Sequence, residues 1–128
     1  MGKSIVKQKS YEFALQIIKL CTQLRNDRHY EISSQLLRSG TSIGANVEEA
    51  LAGRSRKDIF AKMTIASKEA RETNYWMRLI KDAELFDKRR LQELISKSDE
   101  LVKILTSIVK TCAETQETTK NSKLRTQN

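Results

Sequence analysis

The stretch LQELISKSDELVKILTSIVKTC, residues 91–112, decides how the rest of the chain is read. Leu91, Leu94, Ser98, Leu101, Leu105, Ile108 and Cys112 follow one another at alternating spacings of three and four. That is the seam of an α-helix laying one stripe against its neighbours. Ile95, Val102 and Val109 widen the seam into the broader apolar face of a helix packed inside a bundle.

Outward from this helix, toward the N-terminus, the same periodicity recurs three times. It predicts a first helix from about Ser4 to Arg25 that buries Phe13, Ala14, Ile17, Ile18, Cys21 and Leu24. A second, from Ser34, buries Leu36, Leu37, Ile43, Val47, Ala50 and Leu51. A third, from Arg56 to about Leu85, buries Ile59, Met63, Ala66, Ala70, Met77 and Ile80. The boundaries carry their own chemistry. Ser33 is placed to cap the second helix, with Ile32 and Leu37 as a hydrophobic staple. Gly53 can end that helix, Ser55 with Asp58 forms a variant capping box for the third, and Asp87 caps the fourth. Every connection is short, so successive helices must run antiparallel. The expectation is an all-α, up-down-up-down four-helix bundle over residues 1–115. From Glu114 the chain turns polar, and 116–128 reads as a basic, disordered tail.

Composition agrees. There is no proline and only four glycines to interrupt helices, and 38% hydrophobic with 31% charged residues suits one soluble bundle. Nothing approaches the roughly 18 apolar residues of a membrane span. Three lysines up to Ser10 have no apolar run behind them, unlike a signal peptide, and position 6 is Val6 rather than the hydroxyl residue of a myristoylation signal. Cys21 and Cys112 each fall on an apolar stripe and read as small hydrophobes, which points to a reducing, cytoplasmic setting.

The second helix carries a further stripe, Ser39, Ser42, Asn46, Glu49 and Gly53, again at spacings of three and four but small or polar. Gly40 and Gly44 lie within the same helix, each costing about 1 kcal/mol against alanine. A helix carrying both requires close backbone approach at that place. Two readings stand side by side: tight packing within the bundle, or docking on another subunit or partner, with Asn46 and Glu49 fixing the register.

At this helix the sequence resembles a known family. Ser34-Gln35-Leu36-Leu37-Arg38, Ser42-Ile43-Gly44-Ala45-Asn46-Val47-Glu48-Glu49-Ala50, Ser55-Arg56-Lys57-Asp58 and Ile65-Ala66-Ser67-Lys68-Glu69-Ala70-Arg71-Glu72 are similar to the four helix bundle proteins of bacteria. These are also called the 23S rRNA intervening-sequence or S23 family. The likeness spans about residues 10 to 112, and the pattern Ser42-x-x-x-Asn46-x-x-Glu49 is its core. At Gly44 the family commonly carries proline, and either residue weakens a helix. The resemblance implies a ring-like homo-oligomer, a pentamer. It also implies a relation to the accessory proteins of diversity-generating retroelements, basic bundles that bind nucleic acid and a reverse transcriptase. It brings no catalytic residues.

The net charge of +8 collects at one end of the expected bundle. Lys3, Lys7 and Lys9, then Arg54, Arg56 and Lys57, then Lys110 with the residues after it converge there, together equal to the net charge of the whole chain. Arg56 and Lys57 at one helix N-terminus, and Lys88, Arg89 and Arg90 at another, oppose the helix dipole and favour a compensating anion. A ring would multiply the effect. Phe13, Phe60, Tyr75 and Trp76 fall in helical segments, so they offer no stacking platform for bases, and zinc-finger spacing is absent. Nucleic-acid binding through Lys3, Lys7, Lys9, Arg54, Arg56, Lys57 and Lys110 would then be electrostatic and weakly selective. The alternative is a scaffold for a partner enzyme such as a retroelement reverse transcriptase.

Catalysis finds little support. A di-iron bundle needs Glu-x-x-His pairs, and the one histidine, His29, sits in a turn. Arg25 and His29 have three residues between them, which misses the Arg-x4–6-His motif of HEPN-type nucleases. Glu48/Glu49 and Glu69/Glu72 lie among cations as salt-bridging carboxylates do. No glycine-rich phosphate loop and no nucleophile–histidine pairing occurs. The expectation is a protein without enzyme activity, cofactor or metal.

Overall fold

A computed structural model describes the backbone of residues 2–126 and the side chains of residues 5–115, 121 and 122. It contains four helices: α1 (Gly2–Asn26), α2 (Tyr30–Leu51), α3 (Arg56–Asp82) and α4 (Lys88–Thr126). Each packs on its neighbours in chain order, α1 closes the ring of contacts against α4, and among the described residues no diagonal pair touches. The chain is therefore an all-α, up-down-up-down four-helix bundle. The α1–α4 contact is the loosest of the four.

The core is one continuous cluster. Phe13, Ile17, Leu20 and Leu24 of α1 meet Leu36, Ile43 and Val47 of α2, Met63, Met77 and Ile80 of α3, and Leu91, Leu101 and Leu105 of α4. Ser55 accepts a hydrogen bond from the Asp58 backbone N–H at 3.1 Å, and Asp87 Oδ1 accepts one from Arg90 N–H at 3.1 Å. The N-caps expected at Ser55 and Asp87 are thus in place, each satisfying a donor that the helix cannot.

Three expectations are corrected. First, α2 begins at Tyr30, a turn earlier than a cap at Ser33 allows. Arg28, with φ of 68°, closes α1: its N–H bonds to Arg25 O at 2.9 Å and the His29 N–H to Leu24 O at 2.9 Å. This is the paired pattern of a Schellman turn, and the chain leaves it already directed into α2. Ser33 instead lies fully buried against α1, its hydroxyl donating to Cys21 O at 3.2 Å.

Second, Ile18 is 46% exposed and Leu51 36%, while Val6, Ser10 and Leu20 are buried. Apolar residues cover more of the α1 circumference than two neighbours can, and the burying line is Val6, Ser10, Phe13, Ile17, Leu20, Leu24. Third, α3 stops at Asp82 rather than near Leu85, in a second Schellman turn with Glu84 at φ of 59°. The backbone of the polar stretch from 116 continues α4 to Thr126. Its Lys, Glu, Gln and Thr residues include no glycine or proline to stop the helix.

Candidate nucleic-acid interface

Alternating helix directions bring the start of α1, the end of α2, the start of α3 and the later part of α4 to one end of the bundle. Side-chain pairs set the register. Gln16 Oε1 accepts from Lys97 Nζ at 3.2 Å and Gln23 Oε1 from Arg90 Nη1 at 3.3 Å. The start of α1 thus lies near Lys110, and α4, at 39 residues against 25 for α1, projects past it. Lys7, Arg54, Arg56, Lys57 and Lys110 are exposed at this end. Lys9 is half-buried and pairs with Glu100 of α4, which withdraws it from the group. The Lys3 side chain lies outside the described residues.

The small-polar stripe of α2 turns toward α3 of the same chain. Ser39 is buried and its Oγ accepts from Thr73 Oγ1 at 2.9 Å. Glu49 pairs with Lys62 at 2.8 Å. A Cβ on Gly53 would lie 3.4 Å from the Asp58 Cβ. Ser42 and Asn46 are half-buried and joined within the helix, Asn46 Nδ2 donating to Ser42 O and Oγ at 2.8 and 2.9 Å. The two glycines serve the opposite neighbour, α1. A Cβ on Gly40 would sit 2.7 Å from Ile17 Cγ2, and one on Gly44 would be 3.4 Å from the Ser10 backbone.

Two arrangements escape sequence reasoning, because each joins residues from different helices. Between α2 and α3, Arg38 pairs with Glu69 at 3.4 Å and with Glu72, and Trp76 Nε1 donates to Glu72 Oε2 at 3.2 Å. Between α3 and α4 a groove of about 290 Å³ is lined by Thr64, Ser67, Lys68, Arg71, Thr106 and Val109. Neither has the depth of a substrate pocket. Between α1 and α4, a cavity beside Lys9, Phe13 and Glu100 holds about 90 Å³ and another beside Lys19, Arg90 and Lys97 about 250 Å³, below the several hundred typical of small-molecule sites. Among the described residues no group of His, Cys, Asp and Glu side chains could hold a metal ion, and no helix is long and apolar enough to cross a membrane. His29 lies half-buried in the turn between α1 and α2.

The sequence matches the profile of the 23S rRNA-intervening sequence proteins over residues 2–107. The chain belongs to this family. A similar protein of the S23 ribosomal protein family, from Bacteroides thetaiotaomicron and described as of unknown function, has a crystal structure. It is 43% identical, with a TM-score of 0.82 covering 86% of this chain and 99% of that one. No curated protein matches the chain. The match to the 23S rRNA-intervening sequence family ends in α4, so the last turns of that helix lie beyond the shared bundle.

Proposed function

We propose that this 23S rRNA-intervening sequence protein is a non-catalytic, cytoplasmic binding module that assembles into a ring-like homopentamer and holds nucleic-acid backbones with little regard to sequence. One observation carries the reading. Lys7, Arg54, Lys57 and Lys110 are exposed at one end of the bundle, and among the described residues none of them forms an ion pair. Unneutralised cations gathered at one end attract phosphate and release its counterions.

Assembly finds support in two apolar patches. Tyr11, Leu15 and Ile18 stand exposed on α1, and Ile65, Tyr75 and Leu79 on α3. These helices occupy diagonal corners, so the patches face different directions. Two unlike surfaces facing apart suit a head-to-tail contact, which closes into a ring, better than a two-fold dimer. A ring would also place several basic ends side by side.

Light-scattering mass, with and without a short DNA duplex at low and high salt, tests both parts. The expected result is a stable oligomer that binds the duplex at low salt and releases it at high salt. An oligomer that ignores the duplex at every salt would leave the basic end to an acidic protein partner, such as a retroelement reverse transcriptase. A monomer would remove the ring.

A further inference from the structure

We propose that the groove between α3 and α4 is a phosphate-binding track that leads from the basic end up the side of the bundle and takes the backbone of a nucleic acid. The inference rests on the nucleic-acid reading above and adds a site that the end-on arrangement of cations does not contain.

The groove is built for an anion. Arg71 Nη2 donates to Thr106 Oγ1 at 3.2 Å, which ties the exposed guanidinium across the two helices and leaves it further donors. Lys68 lines the same groove one turn away. Ser67, only 7% exposed, lines it with a hydroxyl that has no hydrogen-bond partner among the described residues. Its donor is therefore left for whatever enters. Lys103 precedes Thr106 by three residues and Lys110 follows it by four, so both flank the groove on α4. Lys57, seven residues before Thr64, continues the line on α3 to the basic end. All five cations are exposed.

The carboxylates on this face are few. Asp99 is held by Asn74 Nδ2 at 2.9 Å, and Glu114 lies one turn beyond Lys110. The groove between α2 and α3 is neutralised. There, Arg38 and Lys62 meet Glu69, Glu72 and Glu49. Between α1 and α4, Lys9 meets Glu100, while Arg90 and Lys97 bond to the neutral Gln23 and Gln16. Tyr11 and Ile18 lie on the side of α1 that turns toward α2. The five cations along the α3–α4 side meet no carboxylate among the described residues. A linear polyanion matches such a line of charge with hydroxyl and guanidinium donors at its floor, since phosphate oxygens accept from both.

The test is fluorescence anisotropy of a labelled short DNA duplex over a salt series. The proteins are the wild type, Lys68→Gln/Arg71→Gln/Lys103→Gln, and Arg54→Gln/Lys57→Gln. Each phosphate contact contributes about 0.9 to the slope of log affinity against log salt. The groove variant is expected to lower that slope by about 2 to 3, with circular dichroism and light-scattering mass unchanged. Lys103→Gln alone, at a side chain with no contact to break, should lower it by about 1, and Ser67→Ala should weaken binding at every salt without changing the slope. A groove variant that keeps the wild-type slope, while the end variant loses its share, overturns the track and leaves the nucleic-acid reading standing. Wild-type protein that ignores the duplex at low salt overturns both. Polyglutamate that competes as well as DNA, through the same residues, overturns phosphate recognition in favour of an acidic polypeptide.

Discussion

Substitution of the two α2 glycines by alanine should have opposite consequences, although both lie within one helix and only four residues apart. Alanine gains about 1 kcal/mol over glycine in a helix interior. At Gly44 the new Cβ would meet the Ser10 backbone at 3.4 Å, ordinary van der Waals contact, so most of that gain should be kept. At Gly40 the new Cβ would lie 2.7 Å from Ile17 Cγ2 and 3.0 Å from Cγ1. Both atoms are bonded to the Ile17 Cβ and cannot swing away alone, and Ile17 is fully buried. Relief requires a rotamer change or separation of α1 from α2, and overpacking of this kind costs about 1–3 kcal/mol. Net of the helix gain, Gly40→Ala is expected to lose up to about 2 kcal/mol, whereas Gly44→Ala gains up to about 1. Urea denaturation at one protomer concentration measures both. The double variant Ile17→Ala/Gly40→Ala isolates the clash: where Ile17 is already alanine, Gly40→Ala should become stabilising. Gly40→Ala as stable as Gly44→Ala would refute the account of why α1 and α2 approach so closely.

The caps should each be worth about 1 kcal/mol, so Ser55→Ala and Asp87→Ala should lower the melting temperature by about 4 °C apiece. Asp87 should cost the more, because Lys88, Arg89 and Arg90 follow it. Glu84→Gly should stabilise by about 0.5–1 kcal/mol, since glycine adopts the left-handed conformation without a Cβ penalty, partly offset by its freer unfolded chain; a lower melting temperature would show that Glu84 gives the turn something beyond its backbone. Burial pushes the Cys21 thiol above its ordinary range, with the Ser33 hydrogen bond and Arg25 opposing. The folded chain therefore holds that proton more tightly than the unfolded one. Stability should be intact below the unfolded thiol's pKa and fall as pH rises through the folded value. A thiol reagent should label half-exposed Cys112 at once and Cys21 only on unfolding; two fast thiols would contradict this. Ile18→Lys or Ile65→Lys should leave the helical signal intact but lower the light-scattering mass, and an unchanged mass would exclude those patches from assembly.

Much of the fold was legible because it is local. A seam such as Leu91 to Leu105 needs only its own spacing to declare a helix and its inner face, and Ser55 and Asp87 act on the backbone three residues ahead. Short connections then leave antiparallel packing as the one arrangement, and the gathering of Lys7, Arg54, Lys57 and Lys110 at one end follows from it. The glycines likewise announced a close approach before its partner was known.

The sequence by itself thus determined the number, order and direction of the helices and where the positive end lies. Only the tertiary structure decided which part of a helix circumference is covered and what faces what. Ile18 and Leu20 flank Ile17 with equal hydrophobicity, and the positions of α2 and α4 bury one and expose the other. Ser33, well suited to a cap, became a buried hydrogen-bond partner of Cys21 once Arg28 turned the chain into α2 a full helical turn earlier. The stripe of Ser39 and Glu49 meets α3, and Arg71 meets Thr106, through helix rotation and register. Periodicity specifies a face along one helix, but contact between helices depends on how all four fill one core, a property that no single stretch of chain contains.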